Sequence, residues 1–199
     1  MGVIKTALEI ALEKTESVKG DKTSVNQFEA RQKGKKLANA FLGKEANIAD
    51  ELKKAQDSDK ESLKQGVFDV LSAQISLPAV KDDEEKLKRI GEGLSAIINN
   101  KEFNAMYSQF LEIVSQYLQE SSQYEQMIRQ QYAPKLRQKE EELSRRMGRE
   151  VRIDPLQDPE FIAFYNQHMN AIKGNYEPVI EHAKEETRKM FYGEPGNKK

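Results

Sequence analysis

An all-α fold follows from three observations on the sequence. Apolar residues recur at three- and four-residue steps along almost the whole chain, the spacing that lines one face of a helix. No segment alternates apolar and polar residues convincingly enough to read as a strand. Charged residues make up 33% and apolar residues 37%, more solvated surface than an average globular chain carries, which favours elongated helices over a compact ball.

A first helix is predicted over residues 3 to 17, with Ile4, Leu8, Ala11 and Leu12 inward, ending near Gly20. A second starts after Ser24 or Asn26, turns Phe28, Leu37, Ala38, Phe41 and Leu42 toward the core, and closes at Gly43. A short helix carries Ile48 and Leu52 within residues 46 to 56, and Ser58 with Glu61 has capping-box spacing for a stronger one. That helix buries Leu63, Val67, Val70 and Leu71 and stops at Leu77-Pro78, because proline disfavours helix in the residue before it. Asp82 and Glu85 mark the next start, followed by Leu87, Ile90, Leu94, Ile97 and Ile98 on one side and an exit at Asn99 and Asn100.

From Phe103 one amphipathic pattern runs to Met147 through Tyr107, Phe110, Val114, Tyr117, Tyr124, Ile128, Tyr132, Leu136 and Leu143. Its length as a helix is about 65 Å. Gly148 stops it and opens a connector that ends at Asp158-Pro159, an N-cap with proline at the first helical position. The last helix, 159 to 192, carries a seven-residue repeat: Ile162, Met169, Tyr176, Ala183 and Met190 in one row, Tyr165, Ile172 and Val179 in the other. Such spacing predicts a coiled-coil seam against the preceding long helix, folded back antiparallel. Interior prolines, Pro134 and Pro178, predict a kink in each. The expected organisation is an N-terminal helical bundle (1–100), a long antiparallel helical hairpin with coiled-coil character (101–192) and a flexible tail (193–199).

The charges nearly cancel, 32 basic against 33 acidic, so no global field directs the chain to nucleic acid or anionic lipid. With no cysteine there is no disulfide, thiolate nucleophile or Cys-ligated metal centre. Lys5, Glu9, Glu13 and Lys14 interrupt any signal-peptide hydrophobic region, and no uncharged stretch approaches the ~20 residues of a membrane span. A soluble, cytoplasmic protein is expected.

Each motif has a bland reading that is favoured. Gly91-Glu92-Gly93-Leu94-Ser95-Ala96 fits a loose dinucleotide pattern, but it follows a helix instead of a strand, so a closely packed helical point is expected. His168 and His182 share a helix face about 21 Å apart and cannot ligate one metal. Neither has a glutamate three residues before it, as a di-iron bundle needs: those positions hold Tyr165 and Val179. Met1-Gly2-Val3-Ile4-Lys5-Thr6 matches the permissive myristoylation pattern, against which stands an ordinary first helical turn. Arg145, Arg146, Arg149 and Arg152 cluster where the hairpin turns, diluted by Glu140, Glu141, Glu142 and Glu150. They are the candidate partner-binding residues, with a preference for acidic partners. Aromatics at core spacing, not interleaved with the arginines, argue against a nucleic-acid platform.

Three stretches resemble a family of uncharacterised bacterial all-helical proteins: Met1-Gly2-Val3-Ile4-Lys5-Thr6-Ala7-Leu8-Glu9, Gly148-Arg149-Glu150-Val151-Arg152 and Asp158-Pro159-Glu160-Phe161. The resemblance implies a small helical protein and supplies no functional residues. No catalytic, cofactor or metal residue is assigned. The expected function is a non-enzymatic protein-interaction or scaffold role with self-association through helical surfaces. The alternative is a helical-bundle enzyme or small-ligand-binding protein whose pocket residues lie far apart in sequence.

Overall fold

Helix α1 (Ala7–Leu42) runs unbroken through Gly20, where two helices were expected. A lone glycine costs about 1 kcal/mol against alanine inside a helix, and with no proline behind it that is too little to stop one. The computed structural model describes residues 7–80 and 82–193, with side chains from Ser24 onward. The inward placement of Ile4, Leu8, Ala11 and Leu12, the acylation pattern at 1–6 and all of the tail beyond Gly193 lie outside them. The buried row of α1 is Ala30, Gly34, Ala38 and Phe41. Phe28, expected inward, is 63% exposed, because two residues before Ala30 it lies on the opposite side of the helix. The helix ends after Leu42 with Lys44 left-handed (φ 64°), Glu45 N–H donating to Ala40 and Lys44 N–H to Phe41.

Helix α2 (Ile48–Lys54) is capped by Asn47, whose side chain accepts from Ala49 N–H (2.9 Å) and Asp50 N–H (3.3 Å). Helix α3 (Asp57–Ala73) starts from Gln56 without a side-chain cap, so Ser58 lies inside the first turn and the expected capping box does not form there. It ends four residues ahead of Leu77, and Val70, expected in the core, is half-buried. Its inner face is Leu63, Gly66, Val67, Phe68 and Leu71. Helix α4 (Asp82–Ile98) takes Asp83 as an acceptor for Ala79 N–H (2.9 Å) and Val80 N–H (3.2 Å), and ends at Asn99 (φ 51°).

The chain packs as two units. The first joins α1, α2 and α3 with Lys88–Asn104 and the end of the last helix from Thr187. Helices α1 and α3 cross at Gly34 and Gly66, where a Cβ on Gly34 would stand 3.0 Å from Gly66 Cα and overlap the Leu63 carbonyl oxygen. Asp69 of α3 holds Arg31 of α1 at 2.8 Å. Arg89 donates to the Phe41 carbonyl (2.6 Å) and lies over the Phe41 ring. Gly91 and Gly93 are buried in mid-helix, and a Cβ on Gly93 would press on Leu71, Phe41 and Ile48. The dinucleotide-like motif is therefore a close-packing point. Phe191 stacks on Phe68, with Tyr192 edge-on.

The second unit comprises Ser76–Leu87 and Ala105–Glu186, and so holds most of α5 (Lys101–Met147) and α6 (Pro159–Tyr192). Tyr107 donates to the Leu87 carbonyl (2.9 Å), and burial pushes its hydroxyl pKa far up. Ring contacts pair Tyr117 with Tyr176, Tyr124 with His168 and Tyr132 with Phe161, so rising number on α5 meets falling number on α6. The inward row of α5 steps by four and three from Phe103 to Ile128. On α6 the buried and half-buried row is Phe161, Tyr165, Met169, Ile172, Tyr176, Ile180 and Ala183, stepping by four, four and three. Ile162, placed inward by the seven-residue repeat, is 39% exposed. An α-helix drifts by ~20° per heptad, and an eleven-residue step follows a straight helix more closely. Both helices continue through their prolines, which are exposed. Among the described residues there is no strand, and no helix is long and apolar enough to cross a membrane.

Candidate functional site

The end of α5, the connector and the start of α6 form one bonded unit. Gly148 (φ +66°) takes the left-handed conformation that glycine adopts without strain, and its N–H donates to the Ser144 carbonyl (2.9 Å). The chain then runs without regular structure over Val151 to Asp154, with Val151 and Ile153 half-buried and Arg152 exposed. Two side chains one turn apart on α5 satisfy its backbone: Ser144 Oγ accepts from Val151 N–H, and Glu140 Oε1 from Ile153 N–H, each at 2.9 Å. Asp154 caps the short 3₁₀ turn Pro155–Gln157 through Leu156 N–H (3.0 Å).

Asp158 closes the connector. It caps α6 through Glu160 N–H (3.0 Å), yet its side chain is almost fully buried. A buried carboxylate is costly unless paired and hydrogen-bonded. Lys139 supplies the charge, reaching the two carboxylate oxygens at 2.9 and 2.8 Å, and the Tyr132 hydroxyl donates to Oδ2 at 3.2 Å. Glu160 adds a second carboxylate, 2.8 Å from Lys139 and 2.9 Å from Lys135. The Lys139 ammonium holds the Asp158 carboxyl below the usual carboxylate range. Lys139, then Lys135, lower Glu160 to about 2. Asp158 first and Glu160 second raise the Lys139 pKa well above its ordinary value. Burial raises the Tyr132 hydroxyl.

The four arginines do not converge. Arg145 pairs with Glu141 (3.5 Å), Arg146 with Glu142 (2.7 Å) and Arg152 with Glu150 (2.9 Å), all exposed, while Arg149 is exposed with no ion pair among the described residues. Arg146 and Arg152 line one open cleft of about 480 Å³ together with Lys139, Leu143 and Ile153; Arg145 and Arg149 do not. Between residues 139 and 160 five cations stand against seven anions, a net of −2, so the site presents paired charges of both signs. Lys139 was missed in the sequence. Its signal was there: seven residues after Tyr132, it is a charge on an apolar row, a position that favours an acidic partner. His168 packs on Phe164 (4.4 Å) and beside Tyr124, His182 is exposed, and among the described residues no cluster could hold a metal ion.

The fold and this site define an all-helical protein in which an ion pair on a buried aspartate holds a helix connector in place. The chain belongs to a family of unknown function, DUF6657, whose model matches residues 49–189. Two of the stretches that carry the sequence resemblance, Gly148–Arg152 and Asp158–Phe161, fall inside that match. No curated protein and no solved structure matches the chain.

Proposed function

We propose that this protein is a non-enzymatic, self-associating scaffold in which α5 and α6 form an antiparallel helical hairpin with a coiled-coil-like seam, and that the end of the hairpin contacts a second copy of the chain. The observation that carries the reading is that four large apolar side chains on or beside this bonded connector are left exposed: Leu143 (38% exposed), Met147 (53%), Leu156 (58%) and Ile162 (39%). Methionine and arginine are enriched in protein interfaces, and apolar side chains on an already ordered backbone lose little entropy on docking. The charges point to a like partner. Glu–Arg pairs of both signs with a small net charge are self-complementary under a two-fold axis, where Arg146 and Arg152 of one copy meet the acidic row of the other.

Sedimentation equilibrium over a wide concentration range tests this. The wild type is expected as a dimer or higher assembly, and Leu143→Glu with Met147→Glu is expected to be monomeric with unchanged helical content. A wild type that stays monomeric throughout, or a double variant that assembles equally well, overturns the proposal.

A further inference from the structure

A second cleft, of about 400 Å³, lies within the unit that holds α5 and α6, between the segment Ser76–Ala79 and α6. That volume is in the range of small-molecule sites. Its apolar wall includes Leu77, Pro78 and Ile180, the last two buried. Tyr117 of α5 also lines it, and this residue is 98% buried, being only 2% exposed. Its hydroxyl has no hydrogen-bond partner among the described residues, whereas every fully enclosed side-chain nitrogen or oxygen among them has one. The hydroxyl is therefore not fully enclosed, and the cleft is the opening that Tyr117 lines. A phenol that can both donate and accept is left open at an apolar floor.

Two unlike charges stand over it. Lys173 and Glu177 are four residues apart on α6, both line the cleft, and neither has an ion partner among the described residues. Lysine preceding glutamate at this spacing is the weaker order for a helical pair, which leaves the two groups open to a ligand. The other charges of the rim, Glu181 and Lys184, are paired with each other at 2.9 Å.

We propose that this cleft binds a short peptide with free ends and an apolar side chain, its carboxylate on Lys173, its ammonium on Glu177, its internal amide on the Tyr117 hydroxyl and its side chain against Leu77 and Ile180. Residues 173 and 177 are separated by a rise of about 6 Å, which one peptide unit between two charged termini spans, its Cα atoms being about 3.8 Å apart. A free amino acid carries both charges on one Cα and has no internal amide to offer the Tyr117 hydroxyl. The site is independent of assembly, since a monomeric and a dimeric chain contain the same cleft.

Calorimetric titration of the full chain with leucyl-leucine, its N-acetyl form, its C-terminal amide and free leucine tests the proposal. The unblocked dipeptide is expected to bind best, with each blocked form and free leucine about tenfold weaker or more. Tyr117→Phe, which keeps the ring against Tyr176, is expected to weaken it several-fold. Glu177→Gln is expected to remove the discrimination against the acetylated form alone, and Lys173→Met that against the amide alone. These two replacements are on the helix surface and keep the proposal testable whatever Tyr117→Phe does to folding. Absence of binding at millimolar dipeptide, equal affinity for all four probes, or discrimination unchanged in the Glu177 and Lys173 variants overturns it.

Discussion

Replacing Gly34 by alanine puts the crossing of α1 and α3 to its most direct test. The new Cβ would overlap the Leu63 carbonyl oxygen and stand 3.0 Å from Gly66 Cα. Both obstacles are backbone, so no side-chain rotation relieves them and the two helices must separate. Overpacking of a well-filled contact costs about 1–3 kcal/mol, and backbone against backbone belongs at the upper end. Alanine returns about 1 kcal/mol of helix propensity. The net expectation is a loss of about 2 kcal/mol. Gly174 is the control, because a Cβ there meets nothing within 4 Å. Gly174→Ala should gain roughly 0.5–1 kcal/mol, from propensity alone. Urea unfolding followed by far-UV circular dichroism compares the two variants. Opposite signs are expected; a Gly34→Ala protein as stable as the wild type, beside a stabilised Gly174→Ala, would refute the close approach.

The remaining predictions concern the second unit. Pro178→Ala should stabilise α6 by about 1–2 kcal/mol, the restored backbone hydrogen bond outweighing the greater freedom of the unfolded chain, and a lowered melting temperature would show that packing requires the proline. Asp158→Asn keeps an N-cap but removes the charge that Lys139 holds, so the urea midpoint should fall clearly. Because Asp158 and Glu160 titrate below their ordinary values when folded, the stability they contribute is complete above the usual carboxylate range and is lost as the pH falls, for Glu160 down through about 2. Stepped-pH unfolding should therefore show a shallower acid dependence in Asp158→Asn, and an identical one would mean that the pair contributes nothing. Ser144→Ala leaves Val151 N–H without its acceptor, so hydrogen exchange at Val151 should speed up while global stability changes by only about 1 kcal/mol; unchanged exchange would show the connector is held some other way.

The all-helical class, the long stretch from Phe103 to Met147, the Asp158-Pro159 start and the stop at Gly148 were legible in the sequence, because each depends on residues within a turn or two of one another. Periodicity and capping are local physics, and they survive whatever the chain packs against. The same locality explains the errors. Gly20 carries a breaker's propensity but not enough of it, and Phe28 and Ile162 fit an apolar pattern whose true phase is decided by what lies opposite. Nothing local marks Gly34 and Gly66 as a helix crossing, since 32 residues separate them and each is simply a weak helix former until the two backbones meet. Lys139 and Asp158, 19 residues apart, become one ion pair only because the connector returns the chain to the face it left. Tyr117 looked like one more core aromatic. Its open hydroxyl, and the charges of Lys173 and Glu177 above it, depend on three segments converging, and such a convergence is a property of tertiary structure that no spacing along the chain encodes.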